Sequence, residues 1–243
     1  GAGFATTDRF STSIAICHQD EITLFDTGEP CAALMFRAGL NPLAVRNIFI
    51  SHMHPDHVGG LAPVLFSMYL PGRAPTDEKF REWSVSPLSA WFKDVVTYPE
   101  GPVQSQDGRY PPVTLHVPSE AVNAMEVSLP AVYLAREVLP FDLEIKGLEG
   151  GTVLDHPEIS VRALANTHLS ANPAYSELPE LYPHMALESY SFSCKIADKT
   201  VVYSGDITAL TELDPLTPSA DIIIVEVAHF DPEDLEPALA ATS

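Results

Sequence analysis

Basic residues are scarce in this chain. Thirteen Lys and Arg stand against 33 Asp and Glu in 243 residues, a net charge of -20. A surface this negative repels phosphate backbones, which argues against a general nucleic-acid-coating role. Cysteine is also sparse. Cys17, Cys31 and Cys194 are odd in number and none sits in a CxxC pair, so a disulfide framework is not expected and a reducing compartment is. Long hydrophobic runs are missing. The longest candidates, Ala62–Leu70 and Ile222–Val225, fall far short of the ~20 apolar residues of a membrane span. No basic-then-apolar segment opens the chain, so the expected location is cytoplasmic. Internal repeats and low-complexity tracts are lacking too.

What is present is a composition that can bury a core: 46% hydrophobic and 19% charged residues. Short β-rich runs recur at Thr12–Cys17, Ile22–Asp26, Asn47–Ser51, Val113–Val117, Ile159–Leu164, Ser189–Ile196, Thr200–Ser204 and Asp221–Val227. The polar turn His18-Gln19-Asp20 makes the first two a hairpin. Helices are expected over Pro30–Ala38, over Leu61–Leu70 with a stop before Pro71-Gly72, and over Ser119–Glu137 with Ser119 as cap and a break at Pro130. A short helix over Pro87–Val96 and a last one opening at Asp231-Pro232 complete the set. An early hairpin followed by strand–helix alternation implies one mixed sheet system covered by helices, a single domain over residues 1–243. Pro71–Pro112 and Leu169–Leu187 read as long loops that wall a site. Both ends look cut, because the last helix should return to a further strand. The strand Asp221–Val227 would then lie at an open edge, which favours a homodimer or low stability.

The strongest chemical signal is Ser51-His52-Met53-His54-Pro55-Asp56-His57-Val58-Gly59-Gly60. Three histidines and an aspartate occupy six positions directly after an apolar run, Asn47–Ile50, that reads as a buried strand. Two residues apart at a strand end, His52 and His54 point to the same side. Pro55 favours a turn that swings Asp56 and His57 back. Imidazole with carboxylate suits zinc, with manganese or iron as alternatives.

These residues resemble the HxHxDH signature of the metallo-β-lactamase superfamily. The likeness extends to Leu24–Glu29, to Asn166-Thr167-His168 after a strand, and to Tyr203-Ser204-Gly205-Asp206. It implies an αββα sandwich (α/β, or α+β) with a pair of divalent metal ions at one edge. His52, His54 and His168 would hold one ion, Asp56 and His57 the second, and Asp206 would bridge them. Two ions ~3.5–4 Å apart can share a hydroxide and clamp the attacking and leaving oxygens of a hydrolysis. No Ser, Cys or Lys shows the base partner of a covalent nucleophile. The family's last ligand is a histidine on a strand after the final helix. That strand would begin where this chain ends, so the second ion is expected to lack a ligand.

Asp26-Thr27-Gly28 also matches the aspartic-protease motif, but no second copy exists, and Asp26 is better read as orienting ligands from behind. Glu226-Val227-Ala228-His229 loosely resembles a ribonuclease Z segment near the leaving group. His229 could protonate the leaving oxygen or simply position the helix start. Asp56 is expected to act twice, as a ligand and in catalysis. His184 reads as solvent-exposed, and Trp83, Trp91, Phe92 and Tyr98 as loop anchors.

Within the superfamily the layout is most similar to the ribonuclease Z and arylsulfatase-like branch. Transfer-RNA processing there uses a basic arm, yet Leu169–Tyr190 and Thr200–Ser243 hold no Lys or Arg. Polyanion binding takes several basic contacts. The expectation is therefore a metal-dependent hydrolase of a small ester-like molecule (phosphodiester, sulfate ester or lactone), with nucleic acid and membrane not expected as partners. An RNA-processing endonuclease and an inactive fragment or binding protein are the alternatives.

Overall fold

A computed structural model describes residues 9–73, 105 and 109–229. The chain begins with the expected hairpin, β1 (Ser13–His18) and β2 (Glu21–Thr27), antiparallel about a tight turn in which Gln19 takes φ +51°. Helix α1 (Cys31–Arg37) and a 3-10 turn (Pro42–Ala44) lead into β3 (Val45–Phe49), parallel to β2. Two helices follow, the single turn α2 (Pro55–Val58) and the longer α3 (Leu61–Arg73). Strand β4 (Val113–Pro118) extends the sheet in parallel, and α4 (Val122–Ala131) connects to β5 (Leu143–Leu148). The first sheet has the order β1-β2-β3-β4-β5.

The second sheet is mostly a meander: β6 (Gly151–Asp155), β7 (Ile159–Ala165), β8 (Tyr190–Ile196) and β9 (Lys199–Tyr203) are antiparallel neighbours. A short β10 (Ile222–Ile224) adds in parallel beside β9. Its order is β10-β9-β8-β7-β6, with β10 at an edge among the described residues. Between β7 and β8 lie a 3-10 turn (Pro173–Tyr175) and the single helical turn α5 (Leu178–Leu181).

Burial explains the layering. Parallel strands in mid-sheet are covered on both faces and lose their hydrophobic alternation, so β2 is buried from Ile22 to Thr27. Leu24 and Ile48 face the helices and pack with Met35, Leu65 and Met68. Phe25 and Phe49 face the other way, stack with centroids 5.2 Å apart, and meet Phe192 and Tyr203 of the second sheet. A third cluster, Val202, Ile207, Leu213 and Leu216, covers the outer side of that second sheet.

Several expectations are corrected. Helix α3 runs through Pro71 and Gly72 to Arg73 instead of stopping before them. Ser119 does not cap a helix; its hydroxyl donates to the Leu148 carbonyl at 2.7 Å, and the α-helix starts at Val122 and ends one residue after Pro130. Strands β5 and β6 are additions to the expected set. Both lie at sheet edges, where Glu144, Lys146, Gly147 and Gly151 look like loop residues. The Pro87–Val96 helix, the aromatic anchors at Trp83, Trp91, Phe92 and Tyr98, and the helix from Asp231 lie outside the described residues.

Strands β2 and β3 run parallel, and β7 and β9, each antiparallel to β8, run parallel to one another. The loops after β2, β3, β7 and β9 gather at one end of the sandwich. Those loops carry Asp26, the histidine motif, His168 and Asp206.

Candidate metal centre

Asp26 lies at the heart of this end and is fully buried. Its φ of +56° turns the chain out of β2, a conformation that Asp tolerates better than most residues. The carboxylate accepts four hydrogen bonds: from Ser51 N at 2.7 Å, Ser51 Oγ at 2.8 Å, His57 Nδ1 at 2.7 Å and Tyr203 Oη at 2.5 Å. One side chain thus ties β2 to the histidine loop and to the second sheet. Glycine lets the loops come this close, since a Cβ on Gly28 would lie 2.0 Å from the Asp56 carbonyl oxygen.

The same bonds set the imidazole tautomers. His57 donates its Nδ1 hydrogen to Asp26, which turns Nε2 toward Asp206 Oδ1 at 3.2 Å and Asp56 Oδ2 at 3.5 Å. Ser51 Oγ gives its hydrogen to Asp26 and so accepts from His52 Nδ1 at 3.0 Å. The His52 Nε2 that remains is buried without a hydrogen-bond partner, 4.0 Å from Asp206 Oδ2. His54 Nδ1 lies 3.5 Å from His168 Nε2, which is 3.7 Å from Asp206 Oδ2. His168 is fixed from behind, its backbone N–H donating to Asn166 Oδ1 at 3.2 Å.

Ligand atoms of His52, His54, His168 and Asp206 lie within 4.8 Å of one another, as do those of Asp56, His57 and Asp206. Asp206 therefore belongs to both groups. A third group, Asp206, Glu226 and His229, adjoins them. Glu226 is buried and accepts from His229 Nδ1 at 2.7 Å and from Ala228 N at 2.6 Å. These groups open onto a cavity of about 300 Å³ lined by His54, Asp56, His57, Tyr175, Asp206 and His229 among others.

Burial pushes His52 down to about 2 and His168 to about 4, and lowers His54, so these imidazoles are neutral with lone pairs to offer. Burial alone would lower His57 as well. The Asp26 charge and hydrogen bonds to Asp206 and Asp26 outweigh it and raise His57 to about 10. Asp206 would be raised by burial, but the hydrogen bond and charge of His57 hold it well below the usual carboxylate range. The carboxylates thus draw positive charge into the space between them. Neutral imidazoles at His52, His54 and His168, an orphaned buried nitrogen on His52 and the carboxylates of Asp56 and Asp206 beside them make a donor set that fits divalent ions of the zinc type.

All seven residues singled out from the sequence for the site, His52, His54, Asp56, His57, His168, Asp206 and His229, are brought to this end. His184 is exposed, as expected, and turns toward Tyr182. His18 lies 3.8 Å from Glu158, away from the site, and His116 is buried against Phe49. Sequence reasoning gave no role to four residues that matter here: Ser51, Tyr175, Glu212 and Glu226. Glu212 braces two ligand loops at once, accepting from Thr167 N at 2.7 Å and from Thr208 N at 2.9 Å. Ser51 adjoins the motif and was open to discovery. Tyr175 and Glu212 carry no local signal.

Two mixed sheets packed face to face, with a histidine and aspartate cluster where β2, β3, β7 and β9 end, define a sandwich that carries a candidate metal centre at one end. The sequence pattern of the metallo-beta-lactamase superfamily matches residues 6–237, and the chain belongs to that superfamily. A ribonuclease Z of Methanothermobacter thermautotrophicus is 29% identical over 168 residues, 69% of this chain and 42% of that protein. One from Pyrococcus furiosus is 46% identical over 71 residues, 29% of this chain and 23% of that protein. The chain therefore spans less than half the length of these curated relatives. Among solved structures, the short form of human tRNase Z superposes with a TM-score of 0.62 at 16% identity, covering 99% of this chain and 80% of that one. Among the described residues, no helix is long and apolar enough to cross a membrane.

Proposed function

We propose that the chain is a metal-dependent hydrolase that cleaves a phosphodiester. The observation that carries this reading is the pair of donor groups sharing Asp206, one of which includes the orphaned buried Nε2 of His52. His52, His54 and His168 would hold one ion, Asp56 and His57 the other, and Asp206 both. Zinc suits this mixture of imidazole and carboxylate, with manganese or iron as alternatives. When bound, such a pair supplies an activated water and offsets charge on the phosphoryl oxygens.

The chain's own residues do the remaining work. Asp56, exposed to the cavity and 3.5 Å from His57, orients the attacking water as a hydrogen-bond acceptor. His229 has its Nδ1 hydrogen held by Glu226, so in its imidazolium form the second hydrogen sits on Nε2, from which it passes to the departing oxygen and leaves the neutral imidazole. Asp26 and Ser51 keep His57 and His52 in the tautomers that present Nε2.

The small-molecule reading rests on charge. The segment 169–190, which brings Tyr175 to the cavity lining, has no Lys or Arg, and the chain is strongly acidic. RNA is the second reading, favoured by the name ribonuclease Z on both relatives; the expectation against nucleic acid is weakened by them. The deciding experiment incubates the metal-loaded chain with bis(p-nitrophenyl) phosphate, a chromogenic sulfate ester, a lactone and a precursor RNA. Diester hydrolysis abolished by chelator supports the proposal. Endonucleolytic cleavage of RNA with no turnover of the small diester would replace it with the second reading. No turnover of any of them by a chain that retains no metal would sink both.

A further inference from the structure

Tyr175 lies in the long connection between β7 and β8, on a turn built for presentation. Asn172 Oδ1 accepts from Ala174 N at 3.0 Å, Pro173 opens a single 3-10 turn, and Tyr175 N donates to the Asn172 carbonyl at 3.0 Å. The phenol lines the cavity, and its oxygen is 3.0 Å from His54 Nε2. The rings meet edge to face with centroids 5.8 Å apart. Among the described residues His54 Nε2 has no other hydrogen-bond partner.

The two nitrogens of His54 face different neighbours. Nδ1 points into the donor group, 3.5 Å from His168 Nε2. Nε2 points out to Tyr175. His52 and His57 show the opposite arrangement, each with Nδ1 held from behind and Nε2 turned toward Asp206. His54 cannot use the Asp26–Ser51 platform, because its inner nitrogen is the one that must stay unprotonated. A neutral imidazole with its Nδ1 lone pair free carries the hydrogen on Nε2, and an acceptor there fixes both tautomer and ring angle.

We propose that Tyr175 is a positioning residue for His54. Its oxygen accepts the Nε2 hydrogen, locks the tautomer that offers Nδ1 to an ion, and couples the 169–187 wall to the first metal group. The inference rests on the metal-dependent reading of the site and deepens it. It also makes the wall part of the metal site rather than a passive boundary.

The test titrates the metal-free chain and Tyr175→Phe with zinc against a chromophoric chelator. Phe keeps the ring and removes only the oxygen. Losing an outer partner of a ligating imidazole typically weakens binding 10–100-fold, so the affinity of the first ion should fall at least about tenfold. The melting temperature of the metal-free chain should not change. Asn172→Ala, which loosens the turn and leaves the phenol intact, should weaken binding by a smaller factor. Cobalt-loaded Tyr175→Phe should show an altered visible spectrum, reporting a changed ligand geometry that a stability defect would not produce. If the parent binds zinc tightly and Tyr175→Phe binds it equally with an unchanged cobalt spectrum, this inference is wrong and the metal-dependent reading stands. If the parent binds no zinc, both fall.

Discussion

Replacing Asp26 by Asn removes one charge at almost constant volume and tests how the site is built. Three donors converge on Oδ2, from Ser51 Oγ, His57 Nδ1 and Tyr203 Oη, while Ser51 N donates to Oδ1. An amide has one oxygen. If that oxygen faces Ser51 N, its NH2 takes the place of the acceptor that Ser51 Oγ, His57 Nδ1 and Tyr203 Oη share, and His57 Nδ1 can meet it only with a lone pair. His57 then carries its hydrogen on Nε2, the nitrogen that faces Asp206 and Asp56. If the amide is reversed, its NH2 opposes the Ser51 N–H. Either way a buried donor goes unmatched. Breaking a buried charged network costs about 3 kcal/mol, or roughly 6–12 °C in melting temperature for a chain of this size. The effect on metal is selective. The ion at Asp56 and His57 should bind about 10–100-fold more weakly, while the His52, His54 and His168 group keeps its ion. Thermal melts with elemental analysis after dialysis against graded chelator read both effects. An Asp26→Asn chain that melts with the parent and keeps both ions at parental affinity would refute the tautomer argument.

Three further outcomes follow from the geometry. His52→Ala with His54→Ala should abolish metal retention at the first group, and full occupancy by elemental analysis would sink the assignment. Asp56→Asn should lower diester turnover roughly a hundredfold or more, the size usual for one positioned electrostatic or proton-transfer group, while the first ion stays bound; parental kcat with both ions present would remove Asp56 from catalysis. His116 is buried, stacks on Phe49 at 4.2 Å, and has an Nε2 without a partner. Burial lowers it from 6.5 to about 4, with Lys146 adding to the effect. Below pH 6.5 the unfolded chain takes up a proton that the folded chain refuses, so this group costs stability as pH falls toward 4, about 2 kcal/mol by pH 5. His116→Phe should remove that slope and raise stability in urea at pH 5; an unchanged difference between pH 7 and pH 5 would show that His116 is not the source.

The sequence by itself determined the elements whose cause is local. The hairpin of β1 and β2 follows from two β-rich runs about a polar turn, and His52, His54, Asp56 and His57 share six positions because one strand end and one helical turn present them together. The family likeness supplied the order in which His168 and Asp206 arrive. Edge strands β5 and β6 escaped because exposed edges select charges and glycines that resemble loop residues. What only the tertiary structure decided is the set of partners. Asp26 and Tyr203 are 177 positions apart, His54 and Tyr175 are 121 apart, and Thr167 meets Glu212 across 45. Such pairs leave no periodicity in the chain, because they are made where β2, β3, β7 and β9 end together. Which nitrogen of each histidine is free follows from those partners and from burial, and that choice exists only once the two sheets have packed.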